Sequence, residues 1–264
     1  MKRIQLFEFE DFNWFPGIFR NSMTNVLVVL NKLVKTPEVL GGLLEASLKE
    51  SGKTRVVDLG SGSGGAMPMV YESMKEKGVD VEILMTDYHP NPQAIEKFKN
   101  NNDASLNYHE LSVDARNLKD APEGLKTMVN SFHHMPKEYA KEILQSAQNN
   151  KEPILIYEIA ENNIPLVLWW LFLPISLVIT ALSFLVITPF VRPLTWHHLL
   201  FTYLIPVLPL FYAWDGQASL PRMYTYDDID ELIGEVPDGY TWKKGRSKDR
   251  NGKKRGTYII GMPK

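Results

Sequence analysis

The stretch Val56-Val57-Asp58-Leu59-Gly60-Ser61-Gly62-Ser63-Gly64-Gly65 places an acid just ahead of a run of glycines. Glycine lets a backbone approach a ligand without a side-chain clash. Where such a stretch joins a strand to a helix, its amides and the helix N-terminus can hold a polar, partly anionic group. Asp58 can then pair with a ligand ammonium. A second acid, Asp87, closes the apolar run V-D-V-E-I-L-M-T-D and can accept from two ribose hydroxyls. A third, Asp114 in S-V-D-A, can accept from an exocyclic amine. Further on stands Asn130-Ser131-Phe132-His133-His134. The bland alternatives are a bare turn for each glycine, and a helix cap or solvated strand end for each acid. A dinucleotide-binding loop is a further alternative, because it too carries an acid about 20 residues on.

The elements that must position these residues follow from periodicity. T-R-V-V-D-L-G reads as a buried strand ending in glycines, and residues 66–77 as a helix. V-D-V-E-I-L-M-T-D is a second strand, and Pro92 opens a helix near 92–101. S-L-N-Y-H-E-L-S-V-D is a third strand that ends on Asp114. L-K-T-M-V-N-S-F is a fourth, followed by a helix to about Ala147, and E-P-I-L-I-Y-E-I is a fifth. Tyr226–Val236 is a helix, and Y-T-W-K-K and G-T-Y-I-I-G are two last strands around a basic loop. Strands alternating with helices imply a mostly parallel sheet covered on both faces. The four ligand-facing elements then fall at carboxyl ends of parallel strands, where open sheets bind.

These motifs resemble the class I S-adenosylmethionine-dependent methyltransferases. V-V-D-L-G-S-G-S-G-G is similar to the family's first motif, Asp87 to its ribose acid and V-D-A to its adenine-side motif. N-S-F-H-H-M-P is similar to the segment after the fourth strand in small-molecule members. The likeness covers roughly residues 53–161 and the last two strands. It implies an α/β, Rossmann-like, seven-stranded sheet with helices on both faces and an antiparallel last strand; two uncharged runs, Ile164–Val191 and Leu194–Trp214, add an apolar helical hairpin inserted after strand five. The likeness also implies S-adenosylmethionine as cofactor and S-adenosylhomocysteine as product. By the same likeness Asp58 holds the methionine ammonium, and Gly60, Ser61, Gly62 and Gly64 shape the cofactor turn. Asp87 binds the ribose with Tyr88 beside the adenine, Asp114 and Ala115 contact the adenine, and Asn130 lies near the methionine moiety.

Methylation of oxygen or carbon needs a base. The candidates are His133, His134, Glu158 and Asp215, with Tyr224 as a positioner. Neighbouring side chains of an extended segment point apart, so at most one of the two histidines is expected to face the site. No H-x-x-x-H spacing occurs, and no metal site is expected. The block Ala213–Tyr224 is expected to fold back over the site or to serve as a connecting loop.

The chain has 264 residues, a net charge of −2 and no cysteine, which removes disulfides, thiolate nucleophiles and zinc-thiolate sites. This charge balance does not point to nucleic acid. Acids at Glu8, Glu10 and Asp11 interrupt any signal-peptide core, so no secretion signal is expected. Ile164–Val191 carries no charge and exceeds the about 20 residues a spanning helix needs, and Leu194–Trp214 is a second apolar run. Both runs lie between strands of one sheet, so the chain must return to the side it left. This predicts two spans or a re-entrant dip at the cytoplasmic face of a membrane, with Trp169, Trp170, Trp196 and Trp214 suited to interface depth. The basic stretch 243–255 could add contact with anionic headgroups.

The expected domains are an N-terminal helical and aromatic lid over 1–50, a cofactor-binding core over 51–162, a membrane-associated hairpin over 163–213, and a C-terminal helix with two strands over 214–264. The expected activity is methyl transfer to a lipophilic or membrane-dissolved small molecule, and an oligomer is open. The rivals are a non-catalytic cofactor-binding scaffold and a soluble enzyme whose hairpin makes a dimer or a substrate lid.

Overall fold

The computed structural model describes residues 3–101 and 103–264. The expected N-terminal lid and cofactor-binding core each include residues outside that set, namely Met1, Lys2 and Asn102. In chain order the elements are α1 (Gly17–Leu33), α2 (Thr36–Ser51), β1 (Arg55–Leu59), α3 (Met67–Glu76), β2 (Glu82–Thr86) and α4 (Pro92–Lys99). Then come β3 (Leu106–Tyr108), β4 (Leu125–Val129), α5 (Lys137–Asn150), β5 (Ile154–Glu158) and α6 (Leu166–Ile187). The last are α7 (Trp196–Leu199), α8 (Val207–Arg222), α9 (Tyr226–Ile233), β6 (Tyr240–Lys248) and β7 (Lys254–Pro263). The chain divides into a sheet unit, residues 34–159 and 226–264, and a helical unit, residues 3–33 and 160–225.

The sheet unit holds seven strands in the order β3-β2-β1-β4-β5-β7-β6. β1 runs parallel to β2 and β4, and β4 to β5, whereas β7 is antiparallel to both β5 and β6. Central parallel strands are covered on both faces and read as continuous apolar runs. V-V-D-L, M-T and I-L-I-Y-E are accordingly buried. One face shares a core made by Leu40, Leu44 and Leu48 of α2, Val70 and Met74 of α3, and Phe98 of α4. The other face is covered by α5 and α9, whose Ile143, Leu144, Ala147, Ile229 and Leu232 are buried. α2 therefore belongs to the sheet unit, and the chain divides at Leu33 and not at residue 50.

Two expectations about the sheet unit are corrected. The third strand ends at Tyr108, because the Val113 amide leaves the ladder and donates to Asp87 O at 3.0 Å. Asp114 is thus six residues beyond the strand and not at its end. The basic stretch is no simple loop either, since only residues 249–253 connect β6 to β7. Acids meet Lys243, Lys244, Arg250 and Arg255 there: Glu50, Asp230, Glu38 and Asp249 respectively.

In the helical unit α6 and α8 pack side by side. The Phe184 and Tyr212 rings lie 4.9 Å apart, and Gln217 Nε2 donates to Thr180 Oγ1 at 3.0 Å. The block expected as a loop or lid from Ala213 is instead the second half of α8, which runs unbroken to Arg222. Asp215 in this polar stretch is satisfied by a distant segment of the chain. Its carboxylate, 5% exposed, accepts the backbone N–H groups of Phe9 and Glu10 at 2.8 and 3.3 Å. The fully buried Arg222 meets Glu8 at 3.1 Å and Asp11 at 2.6 Å. Buried charges are tolerated when paired in this way.

Candidate cofactor and catalytic site

β1 delivers Asp58 and turns at once into the glycine loop. Gly60 has φ +70°, and a Cβ there would meet Ser131 Oγ at 3.4 Å. Gly64 has φ +104° and would bring a Cβ to 3.2 Å from the Phe98 ring. Both left-handed conformations suit glycine. Asp58 is 2% exposed, and its two carboxylate oxygens accept the hydroxyls of Thr127 at 2.8 Å and Ser61 at 2.6 Å. Thr127 reaches it because the two residues are register partners on β1 and β4, so both side chains leave the same face. Burial is the main cause that pushes the Asp58 carboxyl up to about 7, against the two hydroxyl hydrogen bonds and with the Asp87 charge adding to the rise.

Asp87 follows β2 directly and clasps the loop. Its Oδ2 accepts the Gly62 N–H at 2.9 Å, and its Oδ1 accepts the His89 N–H at 2.8 Å. A carboxylate has about four lone-pair sites, so capacity for two hydroxyls is left. Tyr88 is exposed beside it, and Ser112 Oγ donates to Tyr88 O at 2.7 Å. Tyr108, which the sequence reading did not single out, donates its hydroxyl to Gly62 O at 2.8 Å and is pushed up to about 12, chiefly by burial. The alternation Leu106-Asn107-Tyr108, which places Tyr108 on the buried side of β3, was the signal for it.

Asp114 is engaged elsewhere. Arg116 donates Nε to its Oδ1 at 2.9 Å and Nη2 to its Oδ2 at 2.6 Å, and this partner holds the carboxyl below the usual range. Ala115 lies in the same half-buried turn. Asn130 takes φ 54°, uncommon for a residue with a side chain, and ties β4 to β5. Its N–H donates to Tyr157 O at 2.8 Å, and its Oδ1 accepts the Ile159 N–H at 2.8 Å.

The short turn Phe132–His134 brings two of the proposed bases together. The His133 N–H donates to Glu158 Oε1 at 3.0 Å, and His133 Nδ1 lies 2.9 Å from Glu158 Oε2. Both residues are buried, and the half-buried His134 ring lies 4.2 Å from that of His133 at a 39° tilt, so in this turn the two histidines do not point apart as an extended segment would place them. His133, His134 and Glu158 thus belong to the carboxyl edge of β4 and β5 in the sheet unit. Asp215 and Tyr224 belong to the helical unit, where Asp215 caps backbone amides and the Tyr224 ring carries the Arg3 guanidinium at 4.1 Å.

Strand order and the reversed seventh strand decide the architecture. It is the class I methyltransferase fold. No protein-family model and no curated protein sequence matches the chain. Among solved structures it is similar to an O-methyltransferase family protein from Burkholderia thailandensis, at 12% identity over 88% of this chain and 57% of that one, TM-score 0.46. It is similar to human N-acetylserotonin methyltransferase in complex with SAM, at 14% identity over 94% of this chain and 58% of that one, TM-score 0.47. It is also similar to the methyltransferase domain of a bacterial CtHen1, at 11% identity over 87% of this chain and 99% of that one, TM-score 0.47. The chain thus spans under two thirds of the first two.

Proposed function

We propose that this protein transfers a methyl group from S-adenosylmethionine to a lipophilic small molecule at a membrane surface. The observation that carries the methyltransferase reading is the clasp of the glycine loop by Asp87 beside buried Asp58, at the carboxyl ends of β1 and β2. The residues fit the cofactor. Asp58 offers a buried carboxylate to its ammonium, Asp87 offers oxygens to its ribose, and Gly60 and Gly64 take the left-handed backbone conformations that shape the turn. When bound, S-adenosylmethionine supplies an electrophilic methyl group.

The remaining work falls to this chain: aligning the acceptor, excluding water and taking a proton. His133 is the proton acceptor in this reading, and Glu158 fixes the orientation of its ring. The Asp114–Arg116 pair leaves Asp114 poorly suited to an exocyclic amine, so the adenine contact falls to the neighbouring backbone and to Tyr88.

The lipophilic acceptor and the membrane surface are supported by the helical unit. Among the described residues, every exposed large apolar side chain except Tyr88, Leu111, Tyr139 and Val236 belongs to it. Leu166–Phe190 is long and apolar enough to cross a membrane, and only 17% of its most apolar stretch is buried. A core helix would be mostly covered, and patches this large mark contact surfaces. The test is incubation with radiolabelled cofactor and a membrane lipid extract. Label should enter the organic phase. Cofactor binding without any labelled product would favour the non-catalytic scaffold.

A further inference from the structure

We infer that the helical unit lies in one leaflet of a bilayer, with α6 along the membrane plane and not across it. The inference rests on the membrane reading above and fixes its geometry.

The exposed side chains of α6 spread over roughly 200° of its circumference at 3.6 residues per turn, and Val167, Leu171, Val178 and Leu182 lie within about 60° of one another at the middle of that arc. They make a continuous apolar stripe along roughly 22 Å of helix. Trp169, Leu173 and Phe184 are buried, and they occupy the opposite side. A stripe of this kind fits two placements, upright in a bilayer or flat on it.

The neighbouring helix separates the two. α6 and α8 run antiparallel, with Phe184 beside Tyr212 and Thr180 beside Gln217. One residue of α6 is therefore matched by one of α8 in the reverse sense, and Asp215 to Arg222 run beside the stretch from Ala181 back to about Pro174. That stretch is the middle of the apolar helix Leu166–Phe190. At the same level lie Glu8 and Asp11, held on Arg222, and Glu10, whose N–H is held on Asp215. An upright α6 would carry this whole ionic cluster to the bilayer centre, where charged groups are costly. A flat α6 sinks its exposed arc among the acyl chains and keeps the cluster on the opposite, covered side, away from the bilayer centre. The second apolar arm agrees. The Trp196–Leu204 segment meets Val207–Arg222 at 84°, so no straight return span exists among the described residues.

A second copy of the chain is the competing occupant of the stripe. The bilayer is favoured because the exposed apolar side chains extend beyond α6, to Phe190, Leu194, Trp196, Leu199, Tyr203, Leu204 and Ile205. One helix-to-helix contact would cover a single seam.

The chain has no cysteine, so any introduced one is unique. Val167→Cys, Leu171→Cys, Val178→Cys and Leu182→Cys, each carrying an environment-sensitive fluorophore, would be mixed with phosphatidylcholine–phosphatidylglycerol vesicles. The vesicles would contain nitroxide lipids labelled at either the headgroup or a deep acyl position. The expected result is a fluorescence rise at all four sites with the same shallow-to-deep quenching ratio. Quenching that shifts from headgroup to deep label between Val167 and Val178 would overturn the flat placement and leave the membrane reading intact. No response to vesicles at any site would overturn both, and so would a response to protein concentration alone.

Discussion

His133 and Glu158 are joined twice, by a backbone N–H to Oε1 at 3.0 Å and by ring Nδ1 to Oε2 at 2.9 Å. The double contact fixes the ring's position and, with Nδ1 donating, its tautomer. Glu158→Gln keeps the size and removes the charge. We expect it to lower the single-turnover rate by about 10²-fold, in line with the usual worth of a positioned base. Cofactor affinity should stay unchanged. An equal loss of affinity in calorimetry would make the pair a structural strut for the site and not part of its chemistry.

Asp87 has two tasks in this structure, since it holds the Gly62 amide and offers lone pairs to a ligand. Hydrogen bonds to charged groups are worth about 1.5–3 kcal/mol each. Asp87→Ala should therefore weaken S-adenosylmethionine binding at least tenfold, while circular dichroism stays native. Calorimetric binding equal to wild type would remove Asp87 from the cofactor site.

Asp58 gives a pH signature. Its carboxyl is raised from 3.8 to about 7, so the folded state holds a proton there that the unfolded state has released. Stability from this group is complete below 3.8 and declines as pH rises to 7, by an amount on the order of 4 kcal/mol. A cationic ligand group favours the ionised form, so binding should tighten across the same window and release a proton. Comparing urea midpoints of wild type and Asp58→Asn between pH 4 and 7 checks the first point, and the buffer dependence of the binding heat checks the second. Parallel pH slopes for the two proteins would show that Asp58 titrates normally.

Arg222 is fully buried against Glu8 and Asp11. Removing one member of a buried pair leaves its partners uncompensated, at about 3–5 kcal/mol. Arg222→Met should make residues 3–33 readily cleaved in limited proteolysis, with the sheet unit still binding cofactor. An unchanged digestion pattern would show that the segment is held by its aromatic side chains instead. Phe9, Phe15, Phe19 and Phe211 provide that packing.

The parts legible in the sequence were those set by neighbours in the chain. The glycine loop and Asp87 after β2 followed local patterns, and the reversed last strand followed from the family resemblance that those patterns carry. Thr127 was missed because only the β1–β4 register puts it beside Asp58. β3 was overextended because Leu111 and Val113 keep the stretch rich in apolar residues after the backbone has left the sheet, although they fall out of phase with Leu106 and Tyr108. The second half of α8 was misread because the groups that satisfy Asp215 come from residues 9 and 10, 206 and 205 positions away. No local pattern carries such a partner.

The helical unit is assembled from two stretches of chain separated by most of the sheet unit. During synthesis the first 33 residues leave the ribosome long before Arg222 and Asp215 exist to receive them. At the usual pace of about 5–20 residues per second, that wait lasts roughly ten to forty seconds. Phe7, Phe9, Phe15 and Phe19 spend it without Phe201, Phe211 and Trp214, which pack on them in the folded chain. A nascent chain in that state is a client for a chaperone or for the membrane itself, and slowing translation before residue 222 should increase its aggregation.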